Sequence, residues 1–174
     1  MRRTSAVVAV ILLALLGGCS GSDSPSPDRT TRAPDATDQV AEFRPCQVLS
    51  AKDVGAIVGG TVTADEDPNG GCVFNQEDPR APSAGISGVV DVGGGFEASR
   101  GGNATDGKVA DVPGVGDDAW IAIGRTGGAN LQGQGAVAVG DQLVNVTVLQ
   151  GKGLDRAAVK EMTIDLMRLA ASKA

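Results

Sequence analysis

The chain has 174 residues, with 15 Lys and Arg against 21 Asp and Glu and no His, a formal net charge of −6. This acidic balance argues against a nucleic-acid surface and against electrostatic adhesion to anionic lipid heads, since both require clustered cations. Without imidazole, hydrolases that use histidine as the base and zinc sites built on histidine drop out, and carboxylates and lysines remain as acid–base groups.

The chain opens on an export signal. Arg2 and Arg3 precede an apolar run from Ala6 to Leu16, followed by Leu16-Gly17-Gly18-Cys19. A run of about 11 apolar residues is too short to span a bilayer permanently and matches a cleavable signal segment. Leu-Gly-Gly-Cys is the lipobox pattern, in which small residues admit a signal peptidase and the cysteine sulfur carries diacylglycerol. Residues 1–18 are therefore expected to be removed and Cys19 to become a lipidated first residue on the extracytoplasmic face of the cell membrane; the rival is an ordinary secretory signal. Loss of Arg2 and Arg3 leaves 13 cations against 21 acids, about −8, so attachment would rest on the acyl chains, two of which hold stably.

Residues 19–41 follow as the lipidated cysteine and a Ser, Thr, Pro and Asp stretch with almost nothing to bury, expected to form a disordered tether. As a flexible coil it would span about 25 Å. Residues 42–174 are expected to fold as one domain. With only 2% aromatics, its core must be built from Val, Ala, Leu and Ile. Once Cys19 is assigned to lipid, Cys46 and Cys72 remain outside the reducing cytosol and are predicted to form a disulfide, against the alternative of two buried thiols.

Ser50 as N-cap, Asp53 in the first turn, Val54, Ile57 and Val58 on one face, and Gly59-Gly60 after them predict a helix over 51–58. Strands are predicted over 61–66 and 72–75, around the turn Pro68-Asn69-Gly70-Gly71. Further strands are predicted over 85–92, 119–124, 135–139 and 143–149. In the last, Val144, Val146 and Val148 alternate with Asn145 and Thr147, which points the valines at the core. Val159, Met162, Leu166 and Leu169 recur at helical spacing opposite Lys160, Glu161 and Arg168, an amphipathic closing helix over 155–172. The expected architecture is α+β: an antiparallel sheet of about five or six strands, with a short N-terminal and a longer C-terminal helix on one face.

Several motifs match chemical patterns in part. Residues 102–108 read Gly-x-x-x-x-Gly-Lys, the phosphate-loop spacing, but Val109 stands where a magnesium-binding hydroxyl is needed. Gly114-Val115-Gly116 and Gly133 to Ala138 echo a dinucleotide fingerprint in a chain with 26 glycines, and Trp120-Ile121-Ala122-Ile123 reads as strand where the first would require a helix. No nucleotide and no cofactor are expected. Asp65, Asp67 and Asn69 resemble the first half of a calcium loop, but Gln76 stands at its twelfth position; the plain reading is an acidic hairpin turn. Trp120 is either core or a ligand platform, and Asp117 and Asp118, adjacent on a strand, would face opposite sides.

Pro45-Cys46-Gln47-Val48-Leu49-Ser50, Gly71-Cys72-Val73-Phe74 and Val112-Pro113-Gly114-Val115-Gly116-Asp117-Asp118-Ala119-Trp120, in this order behind a lipobox, resemble the actinobacterial lipoproteins grouped as domain of unknown function 3558. That family usually has Leu where Val48 stands and often Trp where Phe74 stands. The resemblance implies an envelope lipoprotein with paired cysteines and no assigned activity, and it transfers no catalytic residues. The expected function is a non-enzymatic module that binds an envelope protein or a small ligand. The alternatives are a carrier of a lipid or small apolar ligand in a pocket between sheet and helices and, more remotely, a carboxylate-based cell-wall hydrolase.

Overall fold

The computed structural model describes residues 42–91, 93–126 and 130–174. The signal segment, Cys19 and the expected tether lie outside the described residues, as does Val92 at the expected end of the third strand.

Pro45, whose fixed φ suits a first helical position, starts a single turn, α1 (Pro45–Val48). Ser50 then caps α2 (Ala51–Val58), its hydroxyl accepting the Asp53 amide at 3.1 Å, and Gly59 at φ +80° ends it. Seven strands follow: β1 (Val62–Glu66), β2 (Cys72–Gln76), β3 (Ser83–Val90), β4 (Val109–Asp111), β5 (Asp118–Arg125), β6 (Leu131–Val139) and β7 (Gln142–Leu149). Between β3 and β4 lies α3 (Gly95–Gly101), and α4 (Arg156–Ala171) closes the chain, capped by Asp155 onto the Ala158 amide at 2.9 Å.

The strands form one antiparallel sheet in the order β1-β2-β3-β7-β6-β5-β4. The α+β class and both expected helices are found, with one more strand than the upper estimate. The additional elements, α1, β4 and α3, are too short to carry a pattern of their own.

Helix α4 packs on β5, β6 and β7. Val144, Val146 and Val148 of β7, Ile121 of β5 and Ile86 of β3 share a core with Val159, Leu166 and Met167 of α4 and Val54 and Val58 of α2. The valines of β7 are fully buried, as their alternation requires. Close approach of α4 depends on glycine in β6. A Cβ at Gly133 would fall on the Thr163 hydroxyl, and one at Gly135 would lie 2.7 Å from the Met167 sulfur.

The helices are not confined to one face. Phe96 of α3 packs with Trp120, Ala122, Ala136 and Leu143 in a second, smaller core. Trp120 alternates with Ile121 along β5, so this core lies on the face away from α4. Trp120 and the final helix therefore lie on opposite faces of the sheet.

Two features fasten the entering chain. Cys46 of α1 is bonded to Cys72 of β2, with their Cα atoms 5.1 Å apart. Upstream, Phe43 is buried, its amide donates to Gln142 Oε1 at 3.1 Å, and a Cβ at Gly88 would come within 2.7 Å of the Phe43 carbonyl oxygen. Among the described residues, no helix is long and apolar enough to cross a membrane.

Candidate binding face

Alternation along the strands sends one set of side chains to α4 and the other to the opposite face. On that face the register lines up Val73, Gly85, Thr147 and Gln134 across β2, β3, β7 and β6. Beside this row run Ser87, Asn145 and Ala136, and on its other side Ser83, Leu149 and Gln132.

Helix α3 and the turn after it stand over β5 and β6, where the Ala104 amide donates to Gln134 Oε1 at 2.8 Å. Over β1, β2, β3 and β7 no helix or loop among the described residues covers this face. Gly85, Ser87, Asn145 and Thr147 are partly exposed, Asn75 is exposed, and Leu149 is 46% exposed. A Cβ built on Gly85 would meet nothing within 4 Å. Along β3 this face carries Ser83, Gly85 and Ser87, small side chains between those of β2 and β7, and then Val89, which is 46% exposed. The hydroxyls of Ser83, Ser87 and Thr147 and the side-chain amides of Asn75 and Asn145 have no protein partner among the described residues and point to solvent.

Helix α3 is held in place by local chemistry. The Asp91 carboxylate accepts the amides of Gly95 (3.0 Å), Gly93 (2.9 Å) and Phe96 (3.3 Å), which hold its pKa below the ordinary carboxylate value. Ser99 of α3 accepts the Trp120 indole N–H at 2.8 Å and donates to the Phe96 carbonyl at 2.6 Å. Trp120 itself is 1% exposed, so its ring is core and offers no platform to a ligand.

The remaining candidates fall elsewhere. Asp67 turns its carboxylate onto the Asn69 amide at 2.7 Å and closes the β1–β2 turn, while Asp65 lies on the open face opposite Val73. Among the described residues, no group of three or more acid, cysteine or histidine side chains gathers to hold a metal. The phosphate-loop spacing is spent on a self-satisfied turn: Asn103 bonds the Thr105 amide, and Lys108 leads into β4 rather than a helix. Asp117 accepts the Gly140 amide at 2.7 Å, and Asp118 accepts the Ala119 amide at 2.9 Å. Clefts in the surface include one of about 490 Å³ beside Phe43 and Lys173 and one of about 220 Å³ under the Gly114 loop, both open to solvent.

The signal for the open face was present in the sequence as Ser83, Gly85 and Ser87 alternating with Ala84 and Ile86. It could not be read as a site because alternation does not say which face a helix will cover.

No family model and no curated protein matches this chain. A solved structure from Bacteroides thetaiotaomicron is similar over 60% of this chain and 40% of its own length, at 16% identity and a TM-score of 0.43. The chain thus spans less than half of that protein, and a likeness of this degree carries no functional information.

Proposed function

We propose that the protein is an exported lipoprotein of the cell membrane, lipidated at Cys19, of the kind its Pro45–Ser50, Gly71–Phe74 and Val112–Trp120 motifs resemble. Its domain is a non-enzymatic binding module that uses the open sheet face. The observation carrying this reading is a stretch of sheet that, among the described residues, is uncovered and presents unpartnered hydroxyl and amide groups, backed by a filled core. Val144, Val146, Val148, Leu166 and Met167 take up the space between sheet and α4, which supports a docking module over a carrier.

Two measurements test the reading. Labelled palmitate is incorporated into the wild-type chain and not into Cys19→Ser; equal labelling, or none in either, removes the anchor. A photo-crosslinking residue at Ser87 gives envelope adducts that a crosslinker at Lys160, on the outer side of α4, does not. Absence of Ser87-specific adducts removes the binding face.

A further inference from the structure

We infer that the free edge of β1, together with the cleft between α2 and the start of that strand, takes an extended peptide of a partner protein. The peptide adds to the sheet as an antiparallel strand and carries a cation, then three positions later an apolar residue followed directly by a carboxylate. The site is separate from the open sheet face and goes beyond it.

Strand β1 ends the sheet, with β2 on one side and no strand on the other. Its hairpin with β2 decides which backbone groups are spent. The Asp67 amide donates to the Gly71 carbonyl at 2.9 Å, and bonded pairs alternate with unbonded ones along an antiparallel ladder. Asp65 and Thr63 therefore turn their amides and carbonyls to Val73 and Asn75, while Val62, Ala64 and Glu66 turn theirs outward. Such a row is a template for one more strand. Ala64, Asp65 and Glu66 are exposed, and β1 contains no proline and pairs without a bulge, so nothing in it turns a strand away.

A cavity accompanies the edge. Val62 and Ala64 share a face with Phe74 and Cys72, the face on which α2 packs. Between α2 and the start of β1 lies a cleft of about 410 Å³, lined by Ala51, Lys52, Gly55, Ala56, Thr61 and Val62. It is built into the connection, which doubles back tightly on the helix: a Cβ at Gly55 would fall on the Gly60 carbonyl oxygen. An added strand aims the residue opposite Val62 at this same face, so its side chain meets a cleft walled by small and aliphatic groups.

Charge sets the direction of the peptide. Lys52 is the one charged group among those lining residues, and Asp65 lies three positions along β1 from Val62, about 10 Å at strand spacing. Neither has an ion-pair partner among the described residues, whereas Glu66 is taken by Arg44 at 3.6 Å. An antiparallel peptide with its cation opposite Asp65 brings its third following residue opposite Val62 and the chain beyond it to Lys52. The odd spacing suits the pleat, because Asp65 points to the open face and the cleft opens on the other. The carboxylate for Lys52 comes from a chain terminus or from an Asp or Glu side chain, which the test separates.

The test is a titration of the isotope-labelled full chain in detergent, followed by amide chemical shifts. The probes are acetyl-Thr-Lys-Thr-Thr-Val with a free C-terminus and acetyl-Thr-Lys-Thr-Thr-Val-Glu-amide, and the control is uncharged acetyl-Thr-Gln-Thr-Thr-Val-amide. The expected result is a saturable shift, with at least one charged probe, that is larger at the outward amides of Val62, Ala64 and Glu66 than at those of Thr63 and Asp65. Binding of the free C-terminus alone assigns a chain end as ligand, and binding of the Glu peptide assigns a side-chain carboxylate. Ala64→Pro removes an outward N–H without touching a bond to β2 and is expected to weaken binding about tenfold or more. Ala56→Leu, at an exposed helical position, narrows the cleft and is expected to do the same, and Lys52→Gln and Asp65→Asn each weaken binding of the charged probes. The inference is overturned if neither charged probe shifts these amides, if the uncharged control binds as tightly, or if Ala64→Pro or Ala56→Leu binds like wild type. It is also overturned if the same amides shift with protein concentration in the absence of peptide, which assigns the edge to a second copy of the chain.

Discussion

Breaking the Cys46–Cys72 bond should weaken the fold by an amount set mainly by the loop it closes. The two residues are separated by 26 positions. In the chain-entropy description a loop of that size costs the unfolded state about 12 cal/mol/K, or about 3.5 kcal/mol at 25 °C. A domain of about 133 residues unfolds with an entropy near 0.28 kcal/mol/K, so the melting temperature should fall by about 12 °C. Cys72 is 1% exposed, so a serine there would add the cost of burying a hydroxyl, about 1–3 kcal/mol if it finds no partner. The cleaner comparison is therefore between oxidised protein and protein reduced in denaturant and refolded with reductant present, followed by guanidinium and thermal unfolding. A loss below about 1 kcal/mol, or two thiols alkylated in protein never exposed to reductant, would refute the reasoning.

Ser99→Ala leaves the buried Trp120 indole N–H without its acceptor and should destabilise by about 1–3 kcal/mol; as the chain has one Trp, its emission reports the site directly, and an unchanged midpoint counts against the bond. Gly133→Ala places a methyl group on the Thr163 hydroxyl beneath α4 and should cost about 1–3 kcal/mol in chemical denaturation, whereas Gly85→Ala, on the open side of the same sheet, should cost far less. Asp91 has a folded pKa held below its unfolded value, first by the Gly95 amide and then by the Gly93 amide. Its contribution is therefore present above about pH 4 and lost as pH falls from there through the folded value. Asp91→Asn should flatten the acid limb of stability against pH below about 4, and an unchanged limb would show that this carboxylate does not hold the start of α3.

What was legible in the sequence was local. Ser50 and Gly59 bracket α2, and Asp155 opens α4, because a cap and the turn it satisfies lie within a few residues of each other. The valines of β7 declare themselves because burial on one face imposes a period of two. The start of β6 was missed because Leu131, Gln132, Gly133, Gln134 and Gly135 read as a polar, glycine-rich connection. The glycines are there because α4 passes too close for side chains, a fact about a helix about 30 residues away in the chain. Helix α3 was missed for a similar reason. It has Gly94 at its N-cap position, and the carboxylate that holds its first amides is Asp91, upstream of the usual cap position. The open face could not be foreseen at all, since Ser83, Gly85 and Ser87 look alike whether a helix lies over them or water does.

The bond between Cys46 and Cys72 also decides how the domain would answer a pull on its amino end. Phe43, lodged against Gly88, would give way first, and the strain would then reach a covalent link three residues on instead of unzipping α1 and α2. From Cys72 the load passes into β2, which is held by strands on both sides, so the force would have to shear the sheet lengthwise rather than peel it from an edge.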